Sequence, residues 1–192
     1  MGRTVVLCLF FPFYLMAFKP LSETYTIPFG AKDAPIQVVE YFSLSCPECL
    51  SSINNDFPEF SRIWIETGKV HWVFHPDPGD LLTFQLMVCL EKLLPKEKPS
   101  FFLQVAKGCA VSAKRTSHQM FAALEKMGRG KKETMRSLSF LEASRAAREA
   151  IAYLKQEDAP TKTPSVWIDK RRLDGVPTLA KVNKALKEKS KC

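Results

Sequence analysis

The chain has 192 residues, 46% of them apolar and 25% charged, with 28 basic against 20 acidic side chains and a formal charge of +8. That length suits about one ordinary domain with a single main core, and the balance excludes a disordered chain, a collagen-like repeat and a polytopic membrane protein. Six cysteines (Cys8, Cys46, Cys49, Cys89, Cys109 and Cys192) are too few for a small disulfide scaffold, so their positions carry the information.

Residues 4–18 form a nearly continuous apolar run behind a segment whose only charged side chain is Arg3. This is the layout of a signal peptide. The run is short for a membrane span, which takes roughly 18 apolar residues or more, and Pro12 interrupts it. The cleavage signal at Leu15-Met16-Ala17 is weak, so an uncleaved anchor stays open, and residues 1–22 are set apart as leader or anchor. Cys8 belongs to this run. An export signal places the remainder where disulfides persist.

Ile36-Gln37-Val38-Val39-Glu40-Tyr41-Phe42 is rich in β-branched and aromatic residues and reads as a largely buried strand with one acidic residue inside. Ser43-Leu44-Ser45 then leads into Cys46-Pro47-Glu48-Cys49, where Ser45 can cap a helix and Pro47 suits its first turn. The helix is expected to run, bent at Pro58, to about Glu66 and to stop at Gly68. Val70-His71-Trp72-Val73-Phe74 is a second buried strand, and strand, helix, strand in that order implies a right-handed parallel crossover.

From Asp80 to about Leu154 the segments are helix-compatible, separated by Pro95, Pro99, Gly108, Gly128 and Gly130. In the last of them, Leu138, Leu141, Ile151 and Leu154 have spacings that can share one buried face, with alanines filling between. Pro160 and Pro164 bracket an extended loop, and Ser165-Val166-Trp167-Ile168 reads as a strand. Asp169-Lys170-Arg171 turns it into Arg172-Leu173-Asp174 as a hairpin, and Gly175-Val176-Pro177 opens a final amphipathic helix to about Lys189.

The strongest chemical signal is Cys46-Pro47-Glu48-Cys49 where a strand meets a helix N-terminus. Two thiols three residues apart can close a small disulfide, and the first faces the positive end of the helix dipole, which stabilises a thiolate. A thiolate is the attacking species in disulfide exchange. The same spacing is half of a zinc site. A second pair of ligands is missing, since Cys89 and Cys109 stand alone and nothing in the sequence brings His71 or His75 to Cys46, so no metal is expected.

Residues 39–49, Val-Glu-Tyr-Phe-Ser-Leu-Ser-Cys-Pro-Glu-Cys, resemble the strand-to-motif segment of DsbA-type thiol:disulfide oxidoreductases, thioredoxin-fold proteins of the bacterial periplasm. Thr163-Pro164-Ser165-Val166-Trp167-Ile168 resembles their cis-proline loop and the strand after it, and the helical block between matches their insertion. The resemblance covers about residues 28–188. It implies an α/β thioredoxin-like fold, a central mixed sheet flanked by helices. The N-terminal half is then 23–79, an all-helical insertion 80–155, and the C-terminal half with a basic tail 156–192.

It further implies that Cys46 is the exposed nucleophile that forms a mixed disulfide with a client and Cys49 the shielded resolving thiol. No cofactor is required beyond the redox-active Cys46–Cys49 disulfide. Glu40 matches the acid beneath the active site, placed to relay a proton to or from Cys49; a strand carboxylate satisfied by a lysine is the plainer alternative. Pro47 and Glu48 belong to the motif, and Thr163 and Pro164 to a loop whose backbone pairs with an extended client segment. Implied partners are unfolded or partly folded exported proteins and a redox partner, such as a membrane protein, that recycles the cysteine pair.

One departure matters. Strongly oxidising members carry histidine between the cysteines, whereas this chain has Glu48. A carboxylate disfavours the thiolate beside it, which predicts a potential more negative than DsbA's roughly −120 mV, toward thioredoxin's −270 mV. Net electron flow stays undecided between oxidase, reductase and isomerase. A non-catalytic alternative, a chaperone or metal-binding module on the same scaffold, also stands.

Cys89 lies in an apolar helical stretch and Cys109 after an expected helix end at Gly108. They are either a structural disulfide or two buried thiols. Cys192 reads as an exposed extra thiol at the end of a lysine-rich tail. Ten basic residues against four acidic ones between positions 114 and 155 lack the stacking aromatics or module that nucleic-acid binding wants. They read as a solvated helical face, and no nucleic-acid partner is expected. Trp64, Trp72 and Trp167 read as core.

Overall fold

The computed structural model describes residues 19–131, 138–160, 162–173 and 178–190. The expectations for the leader, for Gly175-Val176-Pro177 and for Cys8 and Cys192 lie outside them.

Five strands form one mixed sheet. They are β1 (Ile27–Phe29), β2 (Ile36–Phe42), β3 (Val70–Pro76), β4 (Ser165–Ile168) and β5 (Arg171–Arg172), in the order β1-β3-β2-β4-β5. β2 and β3 pair parallel, Glu40 opposite Phe74 and Tyr41 opposite His75. All other pairs are antiparallel. β1 escaped the sequence reading because it is three residues long and holds Pro28, tolerated on this sheet edge. Gly30, which follows at φ 82°, lies so close to β3 that a Cβ would sit 2.6 Å from the Val70 carbonyl oxygen. The closing hairpin turns tighter than expected. Asp169 and Lys170 alone make the turn, both left-handed (φ 44° and 69°), as a two-residue connection between right-twisted strands requires.

The helix after β2 is not uniform. α1 (Pro47–Ser51) passes into a π-helical turn at Ser52–Asp56, then α2 (Phe57–Phe60), then a second π-helical turn at Ser61–Ile65. Pro58 lies in the first turn of α2, at the junction where its missing N–H costs least. The helix packs Ile53, Phe57, Phe60 and Trp64 against Val38, Phe42, Val70, Trp72 and Phe74 of the sheet, an aromatic-rich core.

Between β3 and β4 run α3 (Leu81–Leu90), α4 (Lys98–Val111), α5 (Ala113–Lys126), α6 (Leu138–Ala143) and α7 (Arg145–Leu154), and α8 (Leu179–Lys189) closes the chain. α4 passes straight through Gly108, whose missing side chain admits Thr116 of α5; a Cβ there would lie 2.7 Å from Thr116 Oγ1. The expected leucine face is also corrected. Ser144 interrupts the segment and caps α7, whose buried side is Ala146, Ala147, Ala150 and Tyr153, leaving Ile151 and Leu154 about half exposed. The alanines are the contact surface because small side chains let α7 sit close to Leu21, Tyr25, Met87 and Val88. Leu138 and Leu141 have side chains outside those described. Trp64 and Trp72 are buried as expected, while Trp167 is half-buried.

Candidate active site

β2 runs out at Phe42 and delivers the chain to a helix N-terminus at Cys46. The expected cap, Ser45, is not the cap. Cys46 takes that position, and its Sγ accepts the backbone N–H of Cys49 at 3.3 Å. Ser45 turns away and donates to Asp80 Oδ1 at 2.9 Å.

Asp80 organises the whole approach to the motif. Its carboxylate also accepts from the Ser43 hydroxyl at 2.6 Å, from the Thr83 hydroxyl at 2.5 Å and from the Thr83 amide at 2.9 Å. The Thr83 hydroxyl accepts the Leu44 amide in turn, at 2.8 Å. The N-terminus of α3 therefore holds the loop 43–45 in place. Sequence reasoning missed this role, although an aspartate directly before an apolar helix is an N-cap signal.

The two thiols differ sharply. Cys46 is half-exposed, its Sγ 3.5 Å from Glu48 Oε2 and 3.5 Å from the carbonyl oxygen of Thr163. Cys49 is buried. Burial pushes its thiol well above the ordinary range, the Cys46 sulfur adds to this, and the Ser43 backbone and the Thr163 side chain pull the other way. Both are free thiols. Pro47 and Glu48 are exposed, and Thr163 and Pro164 half-buried, across a cis Thr163–Pro164 peptide. One cluster thus gathers Cys46, Glu48, Cys49 and Thr163 from opposite ends of the sequence.

Beneath it, on the helix-facing side of β2, lies Glu40, about 1% exposed. The lysine partner weighed for it is not there. No cation pairs with it among the described residues, and Oε1 accepts instead from the Ser52 hydroxyl at 3.2 Å. Burial pushes this carboxyl up to about 8 against the milder opposing pull of Ser52 and Trp72, and the charge of Asp56 pushes it further. Ser52 was invisible as a partner because only its spacing, one turn past Cys49, hinted at it.

Cys89 and Cys109 are free, buried thiols rather than a bridge. Burial raises both, Cys109 to about 11. His71 and His75 lie on the opposite sheet face from Glu40, away from the thiols, and among the described residues no three histidine, cysteine or acidic side chains are grouped to hold a metal ion.

A mixed sheet presenting a half-exposed and a buried cysteine at a helix N-terminus, against a cis-proline loop, has the form of a thioredoxin-fold dithiol protein. The family model described as Thioredoxin matches residues 22–188, and the chain belongs to that family. Among solved structures it resembles BdbD from Bacillus subtilis, with TM-score 0.67 and 18% identity over 90% of this chain and 97% of that one. Wolbachia pipientis alpha-DsbA1 gives 0.66 and 21% over 90% and 94%, and Chlamydia trachomatis DsbA 0.63 and 14% over 90% and 93%. These likenesses establish the thioredoxin-like fold of DsbA-type proteins. By sequence, a Rickettsia bellii protein provisionally named protein-disulfide oxidoreductase is 38% identical over 64 residues, 29% of this chain and 25% of that protein. A Rickettsia felis protein of the same name is 35% identical over 60 residues, 29% of this chain and 22% of that protein. The matched stretch therefore spans about a quarter of those relatives.

Proposed function

We propose that the chain is an exported, periplasmic thiol:disulfide oxidoreductase that exchanges disulfides with unfolded or partly folded proteins through Cys46 and Cys49. The observation that carries this reading is the asymmetry of the two thiols. Cys46 is accessible and receives an amide hydrogen bond, while Cys49 is sealed beneath it.

In the oxidising direction a client thiolate attacks Cys46 Sγ, the Cys46–Cys49 bond breaks, and Cys49 leaves as a thiolate that takes a proton from Glu40. A second client thiolate then attacks the client sulfur of the mixed disulfide and releases Cys46, so the client loses two electrons and the motif gains them. The reducing direction is the reverse. Thr163 supports the client segment with its backbone, and a separate redox partner restores the motif.

Glu48 sets the poise. Its Oε2 accepts from the Cys46 thiol at 3.5 Å, and with a carboxylate in the place of the histidine of strong oxidants the couple is less oxidising. The test is the glutathione equilibrium of the intact protein together with insulin reduction and refolding-oxidation assays. Expected are a potential between about −120 and −270 mV and loss of all turnover in Cys46→Ser. Turnover that survives Cys46→Ser, or stoichiometric zinc or copper bound by the pair, overturns the reading.

A further inference from the structure

Glu40 is the one buried carboxylate among the described residues, and it lacks the cation that ordinarily accompanies a buried anion. Its environment is nevertheless specific. Oε1 takes the Ser52 hydroxyl at 3.2 Å, while Oε2 and the Trp72 indole N–H, which also favours the charged carboxyl, are both buried without a hydrogen bond of good geometry. Ser52 is itself buried and sits three residues after Cys49, where α1 passes into the first π-helical turn. Such turns often mark functional positions, because the extra residue re-aims the side chains around it.

We propose that Ser52 is a positioning residue for the proton step at Cys49: by donating to Oε1 it orients the Glu40 carboxyl and reserves Oε2 as the oxygen that takes and returns the proton.

This rests on the oxidoreductase reading above and adds to it the device that replaces a cation. The argument is one of hydrogen inventory. A serine hydroxyl has a single hydrogen, and here it is committed to Oε1. A protonated carboxyl therefore carries its own hydrogen on Oε2, and an ionised one presents Oε2 as the free acceptor. When Cys49 resolves a mixed disulfide, its S–H proton passes to Oε2 and the thiolate attacks Cys46 Sγ. The Cys46–Cys49 bond forms, the bond from Cys46 to the client sulfur breaks, and the client leaves as a thiolate. The motif is oxidised and the client reduced by the same two electrons.

The groups that bear on Glu40 are few. From the helix come Ser52 and Asp56, whose charge opposes ionisation; from β3 comes the Trp72 indole; and β4 supplies Val166, which does not titrate. Ser52 is thus the main contact that favours the ionised form, and removing it leaves burial and Asp56 unopposed except by Trp72.

The test uses the full chain, mixed with glutathione disulfide across pH 5–10, with Ser52→Ala, Ser52→Thr and Ser52→Val compared with the parent. Thr keeps the hydroxyl, and Val has nearly the shape of Thr without it, so that pair decides the matter if Ala does not fold. The midpoint of the resolving step should move up by about one pH unit in Ala and Val, the scale of one hydrogen bond to a charged group. Thr should restore it. In a Glu40→Gln background the same substitutions should move nothing. An unshifted midpoint in Ser52→Val, or a shift that persists without Glu40, overturns the inference while leaving the oxidoreductase reading intact. Absence of any exchange with glutathione, in the parent as in Cys46→Ser, overturns both.

Discussion

The two faces of β2 and β3 are made from alternating residues of the same two strands, yet they behave as different solvents. One face presents Val38, Glu40, Phe42, Val70, Trp72 and Phe74 to the helix that carries the thiols. The other presents Val39, Tyr41, His71, Val73 and His75 to the segment 20–32 and to Tyr153 of α7. The first holds a buried acid that prefers its proton, and the second a buried histidine that refuses one. His75 is lowered to about 4 because burial penalises the cation more than its backbone hydrogen bonds favour it. The period-2 alternation of a strand thus sets the face beneath the two cysteines apart from the face that packs against the segment 20–32, within a single layer.

The largest break in this comparison comes from packing. Phe74 touches the rings of Phe29, Phe42, Phe57, Trp72 and Phe102 and is fully buried. Phe74→Ala should cost about 3–5 kcal/mol, through lost transfer energy and the cavity left behind. Its neighbour Val73, half-buried beside a cavity of about 700 Å³ on the other face, should cost about 1 kcal/mol or less when cut to Ala, because water already reaches it. Urea midpoints of the two variants at neutral pH check the contrast. Equal losses would mean that the faces are not packed differently.

Much of this division was legible in the sequence. The β-branched and aromatic runs at residues 36–42 and 70–74 gave both strands as buried, and the cysteine spacing at a strand-to-helix junction located the site. What escaped was set by partners distant in sequence. Ser45 had the right chemistry for a cap but lost the position to Cys46, because Asp80, 35 residues on, claims its hydroxyl. The leucines of the 138–154 segment had helical spacing, but the break at Ser144 rotates Ile151 and Leu154 outward and spends alanines on the core. Glu40 stood out in an apolar strand, while nothing local identified a serine, rather than a lysine, as what meets it.

A middle-sized effect separates the faces by pH. Glu40 holds its proton more tightly folded, up to about 8, than unfolded, near 4.5. The stability it contributes is therefore fully present below about 4.5 and is lost as pH rises through 8. Glu40→Gln, neutral throughout, should escape that loss and exceed the parent by about 2–4 kcal/mol at pH 9 relative to its difference at pH 4.5. Denaturant titrations at the two pH values measure this. A variant that tracks the parent at both would place the acid in contact with water.

The smallest effect has the opposite sign and belongs to the other face. His75 Nε2 accepts the Leu21 amide at 3.0 Å, and Nδ1 faces the Pro76 carbonyl oxygen at 3.1 Å, so the neutral ring with its hydrogen on Nδ1 satisfies both. Protonation adds a hydrogen to Nε2 where an N–H already points, and it must do so against Tyr41 and Tyr153 in a buried pocket. The folded state thus binds its proton more weakly than the unfolded one. Stability is complete above about 6.5 and falls as acid is added through 4, by about 1–3 kcal/mol at the lower end. His75→Gln keeps an acceptor for the Leu21 amide without a titrating ring, and it should flatten the parent's decline between pH 6.5 and 4 at some cost in packing at pH 7. Followed by tryptophan fluorescence in urea, an undiminished decline in His75→Gln would assign the acid sensitivity elsewhere and remove the electrostatic half of the contrast between the two faces.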